Sequence, residues 1–538
     1  MSPLPSRERL GEIAVKGVHL ALRQITMAPE QQQARVLAAQ ARERLPAPAP
    51  GAPVVAFLTP RDWAAHVQWE GMIAQALRLR GADVHFITCG GSLEICDRAN
   101  TWEAPPMPCT TCTRYVEGSI DAHGFNRIAI SSGWRSDDPL PWPEIDDVSA
   151  GDLSQVEDHG LPLGERVDIP VKWFLMAADL DDDPLAPITY RRFLRSARRI
   201  VAGLEAALDR IQPDVVVLCN GLFFFEAICW ELCRRRGIDV VTYERGFIKE
   251  TLVFRRNKAA CLFDMDDIWQ RFRDTPLTDV ESSELEEYLQ ARTVGDKTID
   301  RFWLHPRFEA PTRGRPGRLV ALFTNLTWDS AVIGQELGFR SLGDWVITAV
   351  EAFCDRPDDE LLIRVHPAEL KLPGKQTREP IGELLHERFP QLPDNVRLVP
   401  ADDPTSSYPI MDACDVGLVF TSTTGLELAL RGTPVIVAGK THYRGRGFTV
   451  DVSSREQFLE QLDRVLTETD PFLPDVELAR RYAHLFFFKT PVTSPGVEEH
   501  ILGLARITID DLEELAPGRN DDLDRICDGI LRGGDFAP

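Results

Sequence analysis

Residues 416–437 read VGLVFTSTTGLELALRGTPVIV. An apolar run at 416–420 gives way to four hydroxyl residues in a row, Thr421 to Thr424, and then to Gly425. Leu426, Leu428 and Leu430 fit a short helix over 425–431, which Gly432-Thr433-Pro434 ends before a second apolar run at 435–437. Strand, hydroxyl-rich turn, helix and returning strand make the repeating unit of a parallel sheet with helices on its faces.

The same alternation extends outward from this stretch. Upstream, strands are expected at 319–323, 361–365 and 396–399, with helices at 345–353, 381–388 and 408–413; a helix at 455–466 follows. Their near-continuous Val, Leu and Ile content predicts burial on both sheet faces. A second alternating set lies nearer the N-terminus. It has strands at 54–58, 84–88, 215–218 and 240–243, and helices up to Arg80 and over 189–210 and 224–236. Thr59 reads as an N-cap, with Pro60 in the first helical position and Asp62 completing a capping box. The expected fold class is α/β, with two doubly wound Rossmann-like domains facing a cleft, one over 51–310 and one over 318–475. TRGRPG at 312–317 is the linker between them. A helical extension precedes them over 1–50, and a helical tail follows over 476–538. The 476–488 helix of that tail, with Leu485–Phe488 at its end, is expected to pack back between the domains. In such a fold the ligand lies in the crevice at the carboxyl ends of the strands.

Composition narrows the function. The chain has 538 residues, 43% apolar and 27% charged, with a formal net charge of −23. That balance argues against an extended nucleic-acid surface. No apolar run approaches the ~20 residues that span a bilayer, and the first residues carry mixed charge with no apolar signal core. Eleven cysteines without a signal fit a reducing compartment, so cytoplasmic residence is expected, compatible with peripheral association with membrane assembly machinery. Gly-x-Gly-x-x-Gly, P-loop and His-Glu-x-x-His motifs are absent from the sequence.

Polar residues gather at the strand ends of the second set. Arg364 and His366-Pro367 end one strand, and Ser422, Thr423, Thr424 and Gly425 open a helix after another. Hydroxyls and backbone N–H groups at a helix start suit a phosphate; His366 can add a proton or a hydrogen bond. Glu427 can accept bonds from ribose hydroxyls. Asn325 and Asp329, in the turn NLTWDS (325–330), either touch the donor or cap their own turn.

Here the sequence resembles a known family. The run 419–427, then Arg431-Gly432-Thr433-Pro434-Val435, Gly439 and 443–451 (YRGRGFTVD) are similar to capsular polysaccharide synthesis proteins, and most specifically to their retaining β-Kdo transferases, which are GT-B enzymes using CMP-Kdo. The resemblance implies a nucleotide-sugar glycosyltransferase acting on a glycan or lipid-linked acceptor in surface-polysaccharide assembly. It implies that His366, Ser422 and Thr423 grip the CMP phosphate and Glu427 the ribose, with Tyr443 on the same nucleotide side. It also implies no cofactor, since GT-B enzymes generally need no metal on the phosphate. Other nucleotide donors (a UDP- or GDP-sugar, or a CDP-polyol) and a non-catalytic glycan-binding or scaffold role are the alternatives.

On the first domain, Glu244 stands where the Kdo transferases carry an acidic pair, and Arg245 replaces the second acid. Glu244 is the candidate catalytic carboxylate; an ion pair with Arg245 or Arg255 is the structural alternative. Asp62, His66 and Glu70 are spaced four apart on one helix face, with His66 a candidate base and a solvated face the alternative. Asn220-Gly221 is a further cleft candidate. Finally, Cys89, Cys96, Cys109 and Cys112 cluster in an insertion at 89–115. Structural zinc, free buried thiols and an iron–sulfur or redox pair are the open readings.

Overall fold

The computed structural model describes residues 26–537 apart from 92, 103–106, 133–141, 143, 295–305, 373, 469–471 and 502. The first half of the 1–50 extension thus lies outside the described residues.

Two sheets organise the chain. The first contains β1 (Val54–Thr59), β2 (Asp83–Thr88), β3 (Asn126–Ala129), β4 (Val215–Cys219), β5 (Asp239–Arg245) and β6 (Thr251–Arg256). The second contains β7 (Leu319–Phe323), β8 (Glu360–Arg364), β9 (Val396–Val399), β10 (Val416–Val419), β11 (Val435–Val437) and β12 (Val450–Asp451). In the second sheet the order is β12-β11-β10-β7-β8-β9, and every pairing is parallel. The first sheet runs β6-β5-β4-β1-β2-β3, with β6 antiparallel to β5. Strand order therefore reverses between β1 and β4, and again between β7 and β10. Chain connections leave such a pair in opposite directions, which opens a crevice at the carboxyl ends. Strands β7 and β10 are buried along their whole length, as their unbroken apolar runs require.

Several elements differ from the sequence reading. Thr59 ends β1 and caps nothing: the helix after it is Ala64–Leu79, with Trp63 at the N-cap and no side-chain cap. The Thr59 hydroxyl instead donates to the Glu70 carboxyl, and Asp62 pairs with Arg98. The buried Glu70 carboxyl takes the hydroxyl that the helix start would otherwise use. The Cys insertion does not break the rhythm, because Cys109–His123 is the helix that leads into edge strand β3. Its Gly124 stop, in the left-handed conformation, was the available signal.

What reads as a helical tail returns to the first lobe. After the helix Val476–His484 and a π-turn at Leu485–Lys489, β13 (Val492–Thr493) adds to β6 as an antiparallel edge strand. A hairpin of β14 (Val497–Ile501) and β15 (Leu504–Ile507) follows, then the helix Asp521–Arg532. Leu523, Ile526 and Ile530 of that helix share one core with Phe57, Trp69 and Phe254. The N-terminal helix Pro29–Arg44 joins the same core through Ala34, Leu37 and Ala41.

The lobes touch on both flanks. On one, Asn100 and Trp102 donate to the carbonyls of Gly374 and Gln376, each at 2.9 Å, and Arg378 pairs with Asp183 at 2.7 Å. On the other, Phe486 stacks against Phe247 of the first lobe at 5.0 Å and His442 of the second at 4.0 Å.

Candidate functional site

Between the lobes lies a cavity of about 670 Å³. Its second-lobe wall is built where β7, β8, β10 and β11 end. Asn325 and Asp329 follow β7, His366 follows β8, Thr421–Thr424 follow β10, and Lys440–His442 follow β11. The first lobe contributes Phe247 and the segment Cys261–Asp264, and the helix Asp279–Val294 contributes Arg292.

Short hydrogen bonds tie these strand ends together. His366 N–H donates to Thr324 Oγ1 at 2.9 Å, Thr421 N–H to Asn325 Oδ1 at 3.4 Å, and Gly439 N–H to the Phe420 carbonyl at 3.1 Å. The hydroxyl turn is fixed from within, since Ser422 Oγ meets Thr424 Oγ1 at 3.0 Å and accepts Thr424 N–H at 3.2 Å. The Ser422 and Thr423 N–H groups find no partner among the described residues, and both residues line the cavity. Two free backbone donors beside the four hydroxyl side chains of Thr421–Thr424 make an anion cradle.

Charge supports that use. Among the cations lining the cavity, Arg292 is buried in an ion pair with Glu427 at 2.8 Å and Arg446 is paired with Asp266. Arg444 donates to the carbonyls of Val437 and Val452, and no carboxylate neutralises it in a salt bridge among the described residues. Lys440 is exposed, and its ammonium has no partner among the described residues. It lies next to Thr441, whose hydroxyl donates to the Thr421 carbonyl at 3.3 Å. Motif reading missed Lys440, although the same strand-end logic applied to β11 would have found it. Arg292 was missed because its acidic helix lies far from the site in sequence.

The expected donor residues divide into two groups. His366, Ser422, Thr423, Thr424, Glu427 and Asn325 line the cavity. Burial, and then the Arg364 charge, lower His366 to about 4, so it is a neutral imidazole here until an anion raises it. Glu427 is committed to Arg292, so a ribose would compete for it. The others stand behind the wall. Arg364 is buried and donates to the Pro400 and Asp403 carbonyls at 2.8 and 3.3 Å. Tyr443 is fully buried, and its hydroxyl donates to the Ser422 carbonyl at 2.6 Å. Gly425 is there for Tyr443: a Cβ at 425 would come within 2.2 Å of that hydroxyl. Tyr443 and Gly425 shape the hydroxyl turn and Arg364 holds the loop after β9; none of the three lines the cavity.

On the first lobe, Glu244 ends β5. Its Oε2 accepts from Asn220 Nδ2 at 2.7 Å and its Oε1 from the Arg245 N–H at 2.8 Å. The ion pair with Arg245 or Arg255 is not the arrangement seen: the Arg245 guanidinium pairs with Glu499 at 2.5 Å, and Arg255 donates to the Asp264 carbonyl. Burial raises the Glu244 carboxyl above its ordinary value, and the charge of Asp329 raises it further. His66 and Glu70 face inward and form no solvated face; Glu70 is 2% and His66 9% exposed. Tyr243 donates to Glu70 Oε1 at 2.6 Å and lies 3.3 Å from His66 Nδ1, while Arg245 Nε donates to His66 Nε2 at 3.4 Å. His66 is thus packed behind β5 with its ring nitrogens engaged, and burial holds it well below its usual value.

The four insertion cysteines are free thiols. Among the described residues no three His, Cys, Asp or Glu side chains converge to hold a metal ion. Burial instead pushes the Cys89 thiol up to about 12. No described helix is long and apolar enough to cross a membrane.

Residues 282–470 match the model of the family described as capsule polysaccharide biosynthesis protein. The match begins within the helix that carries Arg292 and covers every second-lobe residue of the cavity; Glu244 and Asn220 lie outside it. No curated protein matches the chain. Among solved structures, KpsC β-Kdo 2,7 transferase of Thermosulfurimonas dismutans is 15% identical, over 58% of this chain and 88% of that one, with a TM-score of 0.34. The β-Kdo 2,4 transferase of the same KpsC is 15% identical over 56% and 87%, with a TM-score of 0.33. The glycosyltransferase SnogD from Streptomyces nogalater is 15% identical over 82% and 97%, with a TM-score of 0.25. The resemblance to capsule synthesis proteins therefore stands on residues 282–470.

Proposed function

We propose that the protein is a glycosyltransferase of surface-polysaccharide synthesis. It takes a sugar from a nucleotide-activated donor, a CMP-linked ulosonic acid of the Kdo type, and passes it to a glycan or lipid-linked acceptor. One observation carries the reading: the free N–H groups of Ser422 and Thr423 and Lys440, whose ammonium has no partner among the described residues, share one wall of the cavity between the lobes. The phosphate would sit on the 421–424 turn, with Lys440 supplying positive charge as the leaving group departs. His366, neutral when the site is empty, would gain a proton as the phosphate's charge raises it, and so favour nucleotide release. Glu244, above the usual carboxylate range and oriented by Asn220, would take the proton of the acceptor hydroxyl.

Thermal-shift scans with CMP, CDP, UDP and GDP test this. CMP is expected to raise the melting temperature most, and Lys440→Ala to weaken its binding by about 10- to 100-fold. Preference for UDP or GDP would reassign the donor, and stabilisation by no nucleotide would favour a scaffold.

A further inference from the structure

Arg245 leaves the end of β5 with a single carboxylate, Glu244, and the opposite lobe presents another on the cavity wall. Asp329, in the turn after β7, lines the cavity and accepts the Ala331 N–H at 2.9 Å through Oδ1. Among the described residues, neither Glu244 nor Asp329 enters a salt bridge. Asp97 and Glu226 pair with Arg61, Asp183 with Arg378 and Glu427 with Arg292, whereas buried Glu70 bonds to the Thr59 and Tyr243 hydroxyls. Cys261, on the cavity wall, feels both charges, since Glu244 and Asp329 each raise its thiol after burial does. The two acids thus act on one cavity-wall residue from opposite lobes, and Asp329 belongs to the wall itself. A turn-capping role explains the bond to Ala331, but an amide would serve it equally and avoid the cost of a partly desolvated charge.

We propose that Asp329 is a second catalytic carboxylate, facing the anomeric carbon of the donor from the nucleotide lobe while Glu244 faces the acceptor hydroxyl from the other. The assignment rests on the glycosyltransferase reading. In the step, the acceptor oxygen forms a bond to the anomeric carbon, and the bond from that carbon to the phosphate oxygen breaks with its electron pair leaving on the nucleotide. The hydroxyl proton passes to Glu244. Asp329 forms no bond; its charge stabilises the positive charge that collects on the anomeric carbon and ring oxygen as the phosphate departs. Because one acid comes from each lobe, the pair is complete only when the lobes close.

The test compares Asp329→Asn with the wild-type full chain. Asparagine keeps the acceptor for Ala331 and removes the charge. The readouts are the CMP-induced thermal shift and nucleotide release from a panel of CMP-, UDP- and GDP-sugars. The expected result is an unchanged CMP shift with turnover lowered by at least about 100-fold. Turnover within about threefold of wild type, or loss of the CMP shift together with turnover, overturns the assignment. Should the asparagine variant fail to fold, Asp329→Glu decides: it keeps the charge, and turnover no better than that of Asp329→Ala rejects the proposal. If the wild type neither binds a nucleotide nor turns over any donor, the glycosyltransferase reading itself falls, and this proposal with it. An active wild type with an indifferent Asp329 removes only this assignment.

Discussion

Single residues show how far spacing can be trusted. The four-residue interval correctly puts His66 and Glu70 on one helix face, yet nothing local says which way that face points. It points inward, because the side chains of β5 pack there and Tyr243 offers a hydroxyl to Glu70. Burial, opposed in part by the Thr59 and Tyr243 bonds, pushes the Glu70 carboxyl up to about 8. A carboxyl raised in the folded state stabilises fully below its unfolded value, and that contribution fades as pH rises through the folded one. The wild type should therefore lose stability relative to Glu70→Gln as pH climbs from about 4.5 through about 8. Paired melting curves across that window check this; parallel curves would place the ionised form in the core. Gly425 teaches a related lesson. As a letter in a hydroxyl-rich turn it suggests a phosphate approach, whereas in three dimensions it makes room for the Tyr443 hydroxyl.

At the scale of elements, the strands of the second lobe were legible because burial on both faces demands unbroken apolar runs. The helix Asp279–Val294 was not, since its charged residues mask one decisive cation. Arg292 reaches Glu427 at 2.8 Å and the Tyr288 hydroxyl at 3.0 Å, and Tyr288 in turn donates to the Phe247 carbonyl at 3.2 Å. That chain of contacts fastens the hydroxyl-turn helix to the first lobe. Arg292→Ala strands a buried carboxylate and is expected to cost about 3–5 kcal/mol. Denaturant unfolding would measure it, with Arg292→Ala/Glu427→Gln recovering much of the loss. Edge strands β3 and β13 escaped notice for a different reason, being four and two residues long with half-exposed or polar positions.

At the scale of the whole molecule, the chain crosses between lobes more than once, and its last segment completes the first. Strand β13 pairs with β6, and the helix Asp521–Arg532 buries Leu523, Ile526 and Ile530 in the core under β1. A chain ending at residue 489 should therefore do more than lose a tail. Its first lobe is expected to become protease-sensitive while the second keeps its protection, which limited proteolysis with mass analysis would show. Protection of both lobes in the truncated chain would mean that the segment contributes little.

The sequence alone determined the parallel strands of the two sheets, the strand ends that carry polar residues and the hydroxyl turn, because each is written in local periodicity and turn chemistry. It also carried the resemblance to capsule synthesis proteins, within the stretch that the family match covers. Only the tertiary structure decided which polar residues face the cavity and which support it from behind. Among the described residues Lys440 has no partner while Arg292 is spent on Glu427, and Asp329 lines the cavity while Glu244 is held by Asn220. Those outcomes depend on who meets whom over long separations in the chain, where desolvation and charge pairing, not spacing, set the partners.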